Sequence, residues 1–426
     1  MKTKAVRLYG VNDLRLDEFE LPELRDDEIL ARVVSDSICM SSHKLALQGA
    51  AHKRVRHNLA QKQPIIGHEF CGVIEKVGKK WAGKFRAGDK FAIQPALNYP
   101  DADGTPTLWA PGYSFEYVGG DAAYIIIPSE VMEMDCLLEY AADNFFMGSL
   151  AEPVSCVVGA FHAQYHTRNG SYVHQMGIAE GGSLALLAGV GPMGLAAIDY
   201  AIHNPRKPSR LVVTDIDNGR LERAAQLLTV EEAKRNGIEL TYVNTGGGIG
   251  DPVEYLKNLN GGRLYDDVFV FAPVKPVLEM GDRLLGRDGC LNFFAGPTDT
   301  AFSASFNFYN VHYESHHLTG TSGGNTDDMK ESLAMMAKGE LNPVFMITHI
   351  GGLDAVAKTT IDLDKIPGGK KLIYTHKKME LTAINDFAAK GEGNPFFAKL
   401  AEICGRHRGM WNTEAEKYLL ENAAEI

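Results

Sequence analysis

The sequence predicts an α/β protein in which a β-rich first third leads into a doubly wound parallel sheet. Three patterns carry that expectation. Short strand-like runs broken by turn residues fill residues 1–145. Beyond them strand and helix patterns alternate, as crossover helices on a parallel sheet require. Between the first strand of that series and its helix lies Gly189-Val190-Gly191-Pro192-Met193-Gly194, a turn that aims a helix N-terminus at a phosphate.

The elements follow in chain order. KAVRLYG, LRLDEFEL and EILARVVS read as strands, as do FCGVIEKV, DKFAIQP and DAAYIIIP. Turn segments such as AGKFRAGDK separate them. SLAEPVSCVVGAFHAQYH has the apolar spacing of a helix. SLALLA, the glycine turn and MGLAAIDYAIHN then read as strand, turn and helix. RLVVTDID, YDDVFVFAP and CLNFFAG are further strands, interleaved with the helices GRLERAAQLL and KPVLEMGDRLLG. After residue 330 the helix TDDMKESLAMMAKGEL returns the chain to mixed structure, and residues 376–426 read as a largely helical tail.

At 426 residues the chain has length for two or three domain-sized units. A hydrophobic fraction of 45% with 23% charged residues suits a soluble globular protein. The net charge of -11 argues against a nucleic-acid partner, while a local basic site for an anionic substrate stays open. Six scattered cysteines form no CxxC pair, MKTKAVRLYG lacks a signal-peptide core, and no apolar run reaches spanning length. The expectation is a cytoplasmic protein without a membrane partner.

In the turn at Gly189, Gly191 and Gly194, the glycines let the backbone approach a pyrophosphate, with Pro192 and Met193 opening the helix. The next strand ends at Asp215, where a carboxylate binds both ribose hydroxyls of NAD and repels the 2′-phosphate of NADP. Arg220 stands one turn further on and can assist a phosphate, so NADP(H) is not excluded.

Three separate segments offer metal ligands: Cys39 in SDSICMSSHK, His68 in GHEFCGVIEKVG and Glu152 in LAEPVSC. Three protein ligands with one open position define a catalytic zinc. Glu69 stands beside His68 as a supporting group or an alternate ligand. Each residue also has an ordinary structural reading: a buried thiol, a satisfied His-Glu pair, an acid at a helix start.

With these motifs in place, the chain resembles the zinc-dependent medium-chain dehydrogenases, in their polyol (sorbitol-type) branch. GHEFCGVIEKVG followed by FRAGDKFA, EPVSC, GVGPMG with Asp215, and TGTSGG carry the likeness over residues 1–375. It implies a GroES-like β catalytic domain, residues 1–160 and 331–426, enclosing a central Rossmann domain, residues 161–330. It implies one catalytic zinc on Cys39, His68 and Glu152, NAD(H) as cofactor, and a homodimer or homotetramer. Two departures stand out. The stretch ALNYPDADGTPTLWAPGYSFEYVGG lacks the four cysteines of the family's structural zinc, so none is expected. Cys39-Met40-Ser41-Ser42-His43-Lys44 departs from C-G-x-D-x-H. Ser41 is then the group that contacts substrate oxygen, His43 a displaced candidate for the proton relay, and Lys44 stands at the usual His position.

KLALQGAAHKRVRHNLAQK holds Lys44, Lys53, Arg54, Arg56 and Lys62 with no acid, although the whole chain is acidic. The run is either a solvated loop or a clamp for a substrate phosphate. The clamp reading, with the resemblance, implies interconversion of a ketose phosphate such as L-sorbose 1-phosphate with a hexitol phosphate. Other readings are an unphosphorylated polyol or secondary alcohol as substrate, a zinc-free quinone-type reductase, and a non-catalytic NAD-binding protein.

Overall fold

The computed structural model describes residues 1–168 and 170–426. The chain forms two compact units. The first comprises Met1–Glu152, Asn325–Ala337 and Pro343–Ile426; the second comprises Pro153–Gly324 and Lys338–Asn342.

The first unit is the GroES-like one. Its main sheet runs in the order Thr382–Ala383, Ile347–Gly352, Lys370–Tyr374, Ile29–Ile38, Phe70–Val77, Lys90–Ile93 and Leu137–Glu139, with Tyr124–Ile127 also paired to Ile29–Ile38. Ile29, Ala31 and Val33 alternate onto one face and pack with Phe70, Ile74, Phe91 and Ile125. From Val33 to Ile38 burial no longer alternates, so this strand carries its last residues into the interior and leaves Cys39 half-buried after them. A separate hairpin, Lys2–Gly10 with Asp13–Glu20, completes the β-rich part.

The tail is part of this unit's core. Trp411, Leu400, Ile403 and Leu419 pack with Tyr374, Leu372 and Phe146. Glu416, almost wholly buried, accepts hydrogen bonds from the backbone N–H groups of Phe145 and Phe146 at 2.7 and 2.9 Å and from the Tyr374 hydroxyl at 2.8 Å.

The second unit is the Rossmann one. Six parallel strands lie in the order Glu239–Asn244, Arg210–Asp215, Ser183–Leu187, Tyr265–Val270, Leu285–Phe293 and His317–Thr319. The order reverses at Ser183–Leu187, and the loop at the carboxyl end of that strand is where such sheets bind ligands. All five residues of that strand are buried, which is why it reads as a continuous apolar run.

One helix is shorter than its apolar spacing predicts. It runs over Ala151–Ala163, after a separate turn of helix at Phe146–Ser149. Tyr165–Thr167 is instead a strand paired with His174–Met176. Gln164 ends the helix, because its buried amide donates to Asp267 and to the Cys290 carbonyl. Among the described residues no helix is long and apolar enough to cross a membrane.

Candidate active site

The first unit gathers a metal-type set at two strand ends. Cys39 follows Ile29–Ile38 with extended backbone (φ -108°, ψ 151°) and opens the helix Met40–Gln48. His68 and Glu69 precede Phe70–Val77 and follow Gly67, whose φ is +87°. A Cβ at Gly67 would stand 2.6 Å from the Asp121 nitrogen, so conformation and space both demand glycine there. The ligand atoms of Cys39, His68 and Glu69 all lie within 4.8 Å of one another. Ligands of a tetrahedral zinc stand roughly 3.5 Å apart, given bonds of about 2.0–2.3 Å, so modest side-chain motion closes the set on an ion. Thiolate, imidazole and carboxylate are also the donors zinc takes, and the residues fit the metal.

Glu152 lies outside that set of mutually close atoms. Its charge still acts on Cys39, Tyr113 and Lys370. Burial and the neighbouring Glu69 push the Cys39 thiol up to about 12. Burial, with the charges of Lys370, Arg54 and His52, holds His68 well below its ordinary value. His68 is therefore neutral, with a lone pair free for a metal. Its Nδ1 lies 3.4 Å from Ser42 Oγ and its Nε2 3.2 Å from the Tyr113 hydroxyl, so either hydroxyl can fix the tautomer that the other nitrogen needs. Ser41 Oγ lies 3.4 Å from Cys39 Sγ. The structure does not bring His43 into this set: its Nδ1 is 2.9 Å from the Thr360 carbonyl, and the ring is buried there.

Two groups were not visible in the sequence. Lys370, almost wholly buried, places its ammonium 2.5 and 2.6 Å from the two Glu69 oxygens. Burial opposes that charge, but Glu69, Cys39 and Glu152 outweigh it and raise the Lys370 pKa. The only sign in the sequence was a pair of lysines opening the strand KKLIY, which a buried strand tolerates only with partners. Tyr113, the second, lies in a segment with no motif. Behind the Gly67 turn, Asp36 Oδ1 accepts from the Glu69 N–H at 3.2 Å. Burial raises both Asp36 and the neighbouring Asp121, the latter to about 7.

The second unit holds the nucleotide-type turn. Gly191 is the N-cap of the helix Pro192–His203 and no side chain caps it, with Pro192 in the first turn. The free N–H groups of the first turn are what a pyrophosphate uses. A Cβ at Gly194 would meet the Gly189 oxygen at 2.2 Å, so this glycine is required by close packing. The left-handed residue of the turn is Ala188, at φ +53°. Asp215 Oδ1 accepts from the N–H groups of Ile216 and Asp217 at 2.9 and 3.2 Å. Arg220 Nη2 lies 3.9 Å from Asp215 Oδ2 and 3.4 Å from where a Cβ on Gly191 would stand.

The basic loop separates into distinct environments. Lys53 is exposed and Lys44 half-buried on its helix. Arg54 Cζ lies 5.1 Å from the Tyr113 ring centre, and Arg56 Cζ lies 3.3 Å from that of Trp109.

Comparison with known proteins agrees with both units. Residues 25–135 match the alcohol dehydrogenase GroES-like domain and residues 192–338 the zinc-binding dehydrogenase family. The chain is 53% identical to mannitol-1-phosphate 5-dehydrogenase of Aliivibrio fischeri, over 99% of this chain and 98% of that one. It is 49% identical to L-sorbose 1-phosphate reductase of Klebsiella pneumoniae, over 100% of this chain and 98% of that one. In fold it is similar to 2R,3R-butanediol dehydrogenase from Bacillus subtilis, with TM-score 0.66 and 19% identity over 88% of this chain and 99% of that one. With near-complete relatives at this identity, the chain belongs to the zinc-binding, medium-chain dehydrogenase family.

Proposed function

We propose that this enzyme transfers hydride between NAD(H) and a sugar phosphate, interconverting a ketose phosphate of the L-sorbose 1-phosphate kind with a hexitol phosphate. The observation that carries the reading is the compact Cys39, His68 and Glu69 set, in a chain whose near-full-length relatives are named for a hexitol phosphate and a ketose phosphate. When bound, zinc polarises a carbon–oxygen bond and the nicotinamide accepts or supplies hydride.

The chain's own residues supply the rest. Cys39 and His68 would hold the metal with a carboxylate, Glu69 or Glu152. Lys370 holds Glu69 in place through contacts to both its oxygens. Ser41 passes the proton to or from the substrate oxygen. Free N–H groups after Gly191 bind the pyrophosphate and Asp215 the ribose, which favours NAD over NADP. A single zinc, a cytoplasmic location and a homo-oligomer belong to the same proposal.

The test is NADH oxidation by the purified protein with L-sorbose 1-phosphate and with L-sorbose at equal concentration, before and after chelation. A strong preference for the phosphate, lost on chelation and restored by zinc, is expected. Equal turnover of free sorbose would make the substrate an unphosphorylated polyol, and turnover in metal-free protein would remove zinc from the reaction.

A further inference from the structure

We propose that Arg54 alone, of the five basic residues between Lys44 and Lys62, is the specificity-determining contact for the substrate's phosphate. This rests on the sugar-phosphate reading above and assigns the group that recognises the anion.

The structure sorts the loop residue by residue. Lys62 Nζ lies 3.4 Å from a Glu116 oxygen, so its charge is answered within the protein. Arg56 stacks on Trp109 and lies 5.5 Å from the Phe115 ring centre as well; Trp109 in turn stacks on Tyr99. Its role is packing between rings, and its charge acts on the neighbouring His57. Lys53 points to solvent. Lys44 lies on the helix Met40–Gln48, outside the loop proper.

Arg54 differs from Arg56 on two counts, its fixed backbone and its reach to the metal set. Its backbone is fixed from both sides: its N–H donates to His52 Nδ1 at 3.3 Å, and its carbonyl accepts from Ser114 Oγ at 2.7 Å. Its guanidinium is half-buried over the Tyr113 ring and, like that of Arg56, has no salt-bridge carboxylate among the described residues. It also reaches the metal set. The Tyr113 and His68 rings are 4.9 Å apart, and Arg54 Cζ is 5.1 Å from the Tyr113 centre. Those two distances, added end to end, bound Arg54 to within about 10 Å of the His68 ring, and its charge is felt at both His68 and Tyr113. A half-buried cation without a salt-bridge partner, standing within reach of the metal set, is an open anion site for a substrate bound there. Guanidinium offers a planar fork of donors that matches two phosphate oxygens at once. In a 2-ketose 1-phosphate the phosphate sits on the carbon next to the carbonyl, so the short carbonyl-to-phosphorus span plus a guanidinium–phosphate hydrogen bond fits inside that bound.

The experiment compares wild type, Arg54→Ala, Arg54→Lys and Arg56→Ala. The first readout is the ratio of kcat/KM for L-sorbose 1-phosphate to that for L-sorbose. Losing charged hydrogen bonds should lower it on the order of 10- to 100-fold in Arg54→Ala. Arg54→Lys should recover part of it, as a point charge without the fork, and Arg56→Ala should keep the wild-type ratio. The second readout needs no turnover: inorganic phosphate should raise the Tm of wild type and of Arg56→Ala but not of Arg54→Ala. An unchanged ratio in Arg54→Ala, or an equal loss in Arg56→Ala, would overturn the assignment. If wild type turns over no ketose phosphate, the function reading fails, and the phosphate-dependent Tm decides Arg54 by itself. Should Arg54→Ala not fold, Arg54→Lys carries both readouts, and wild-type values in it would overturn the fork.

Discussion

At the scale of single residues the open question is which carboxylate completes the metal set. Glu69 has proximity to Cys39 and His68, but both its oxygens already face Lys370. Glu152 lacks the proximity, yet its charge reaches Cys39 and Lys370. A ligand and a supporting group differ in what their loss costs: outer partners change metal affinity about 10- to 100-fold, and a ligand more. Zinc titration against a chelator should therefore show a larger loss of affinity in Glu69→Gln than in Glu152→Gln. The reverse order would make Glu152 the ligand and leave Glu69 as the partner of Lys370. Cys39 and His68 were legible because each stands at a strand end, one beside a left-handed glycine. Lys370 was not, because its partner is 301 positions away and only folding brings the two together.

At the scale of elements the tail is the instructive case. Its helical character was legible, since WNTEAEKYLLEN has one apolar face, but its place was not. Pro395–Arg406 and Thr413–Asn422 bury that face against Tyr374 and Phe146, and Glu416 supplies the acceptor that the chain at Phe145 and Phe146 needs. An acid in the polar stripe of a helix looks like a surface acid, and only docking turns it into a buried one. Burial pushes Glu416 from 4.5 up to about 7, with the Phe145 and Phe146 N–H groups and the Tyr374 hydroxyl working in the other direction. The raised value means that the folded state holds this proton more tightly than the unfolded chain. The group's stabilisation is thus fully present below about pH 4.5 and declines as pH rises through about 7. The change amounts to ~3 kcal/mol at about 1.4 kcal/mol per unit. In urea unfolding, Glu416→Gln should lack this component, so that the wild-type-minus-variant difference slopes across the window and is flat above it. A constant difference across the window would mean that Glu416 does not titrate there.

At the scale of the whole molecule the two units were legible to different degrees for one physical reason. The parallel sheet is built by crossovers local in sequence, so each strand, turn and helix could be read beside the last. The GroES-like sheet pairs Ile29–Ile38 with Lys370–Tyr374 and Tyr124–Ile127, contacts that no local pattern encodes. The glycine turn was legible down to its residues, although its one left-handed position, Ala188, was not, because an alanine there carries no conformational signature. The chemistry divides along the same line. The metal candidates Cys39, His68, Glu69 and Glu152 fall in the first unit, and Gly189, Gly191, Gly194 and Asp215 in the second. A change confined to the first set should then remove metal and turnover while leaving nucleotide binding intact. His68→Ala takes away a neutral imidazole donor of the first unit, while the glycine turn and the Arg210–Asp215 strand belong to the second. It should bind no zinc at stoichiometric metal and fall by several orders of magnitude in kcat, yet quench NADH fluorescence with the wild-type Kd. Loss of NADH binding in this variant would show that the nucleotide site depends on the metal site, and that the two units do not carry their halves of the reaction independently.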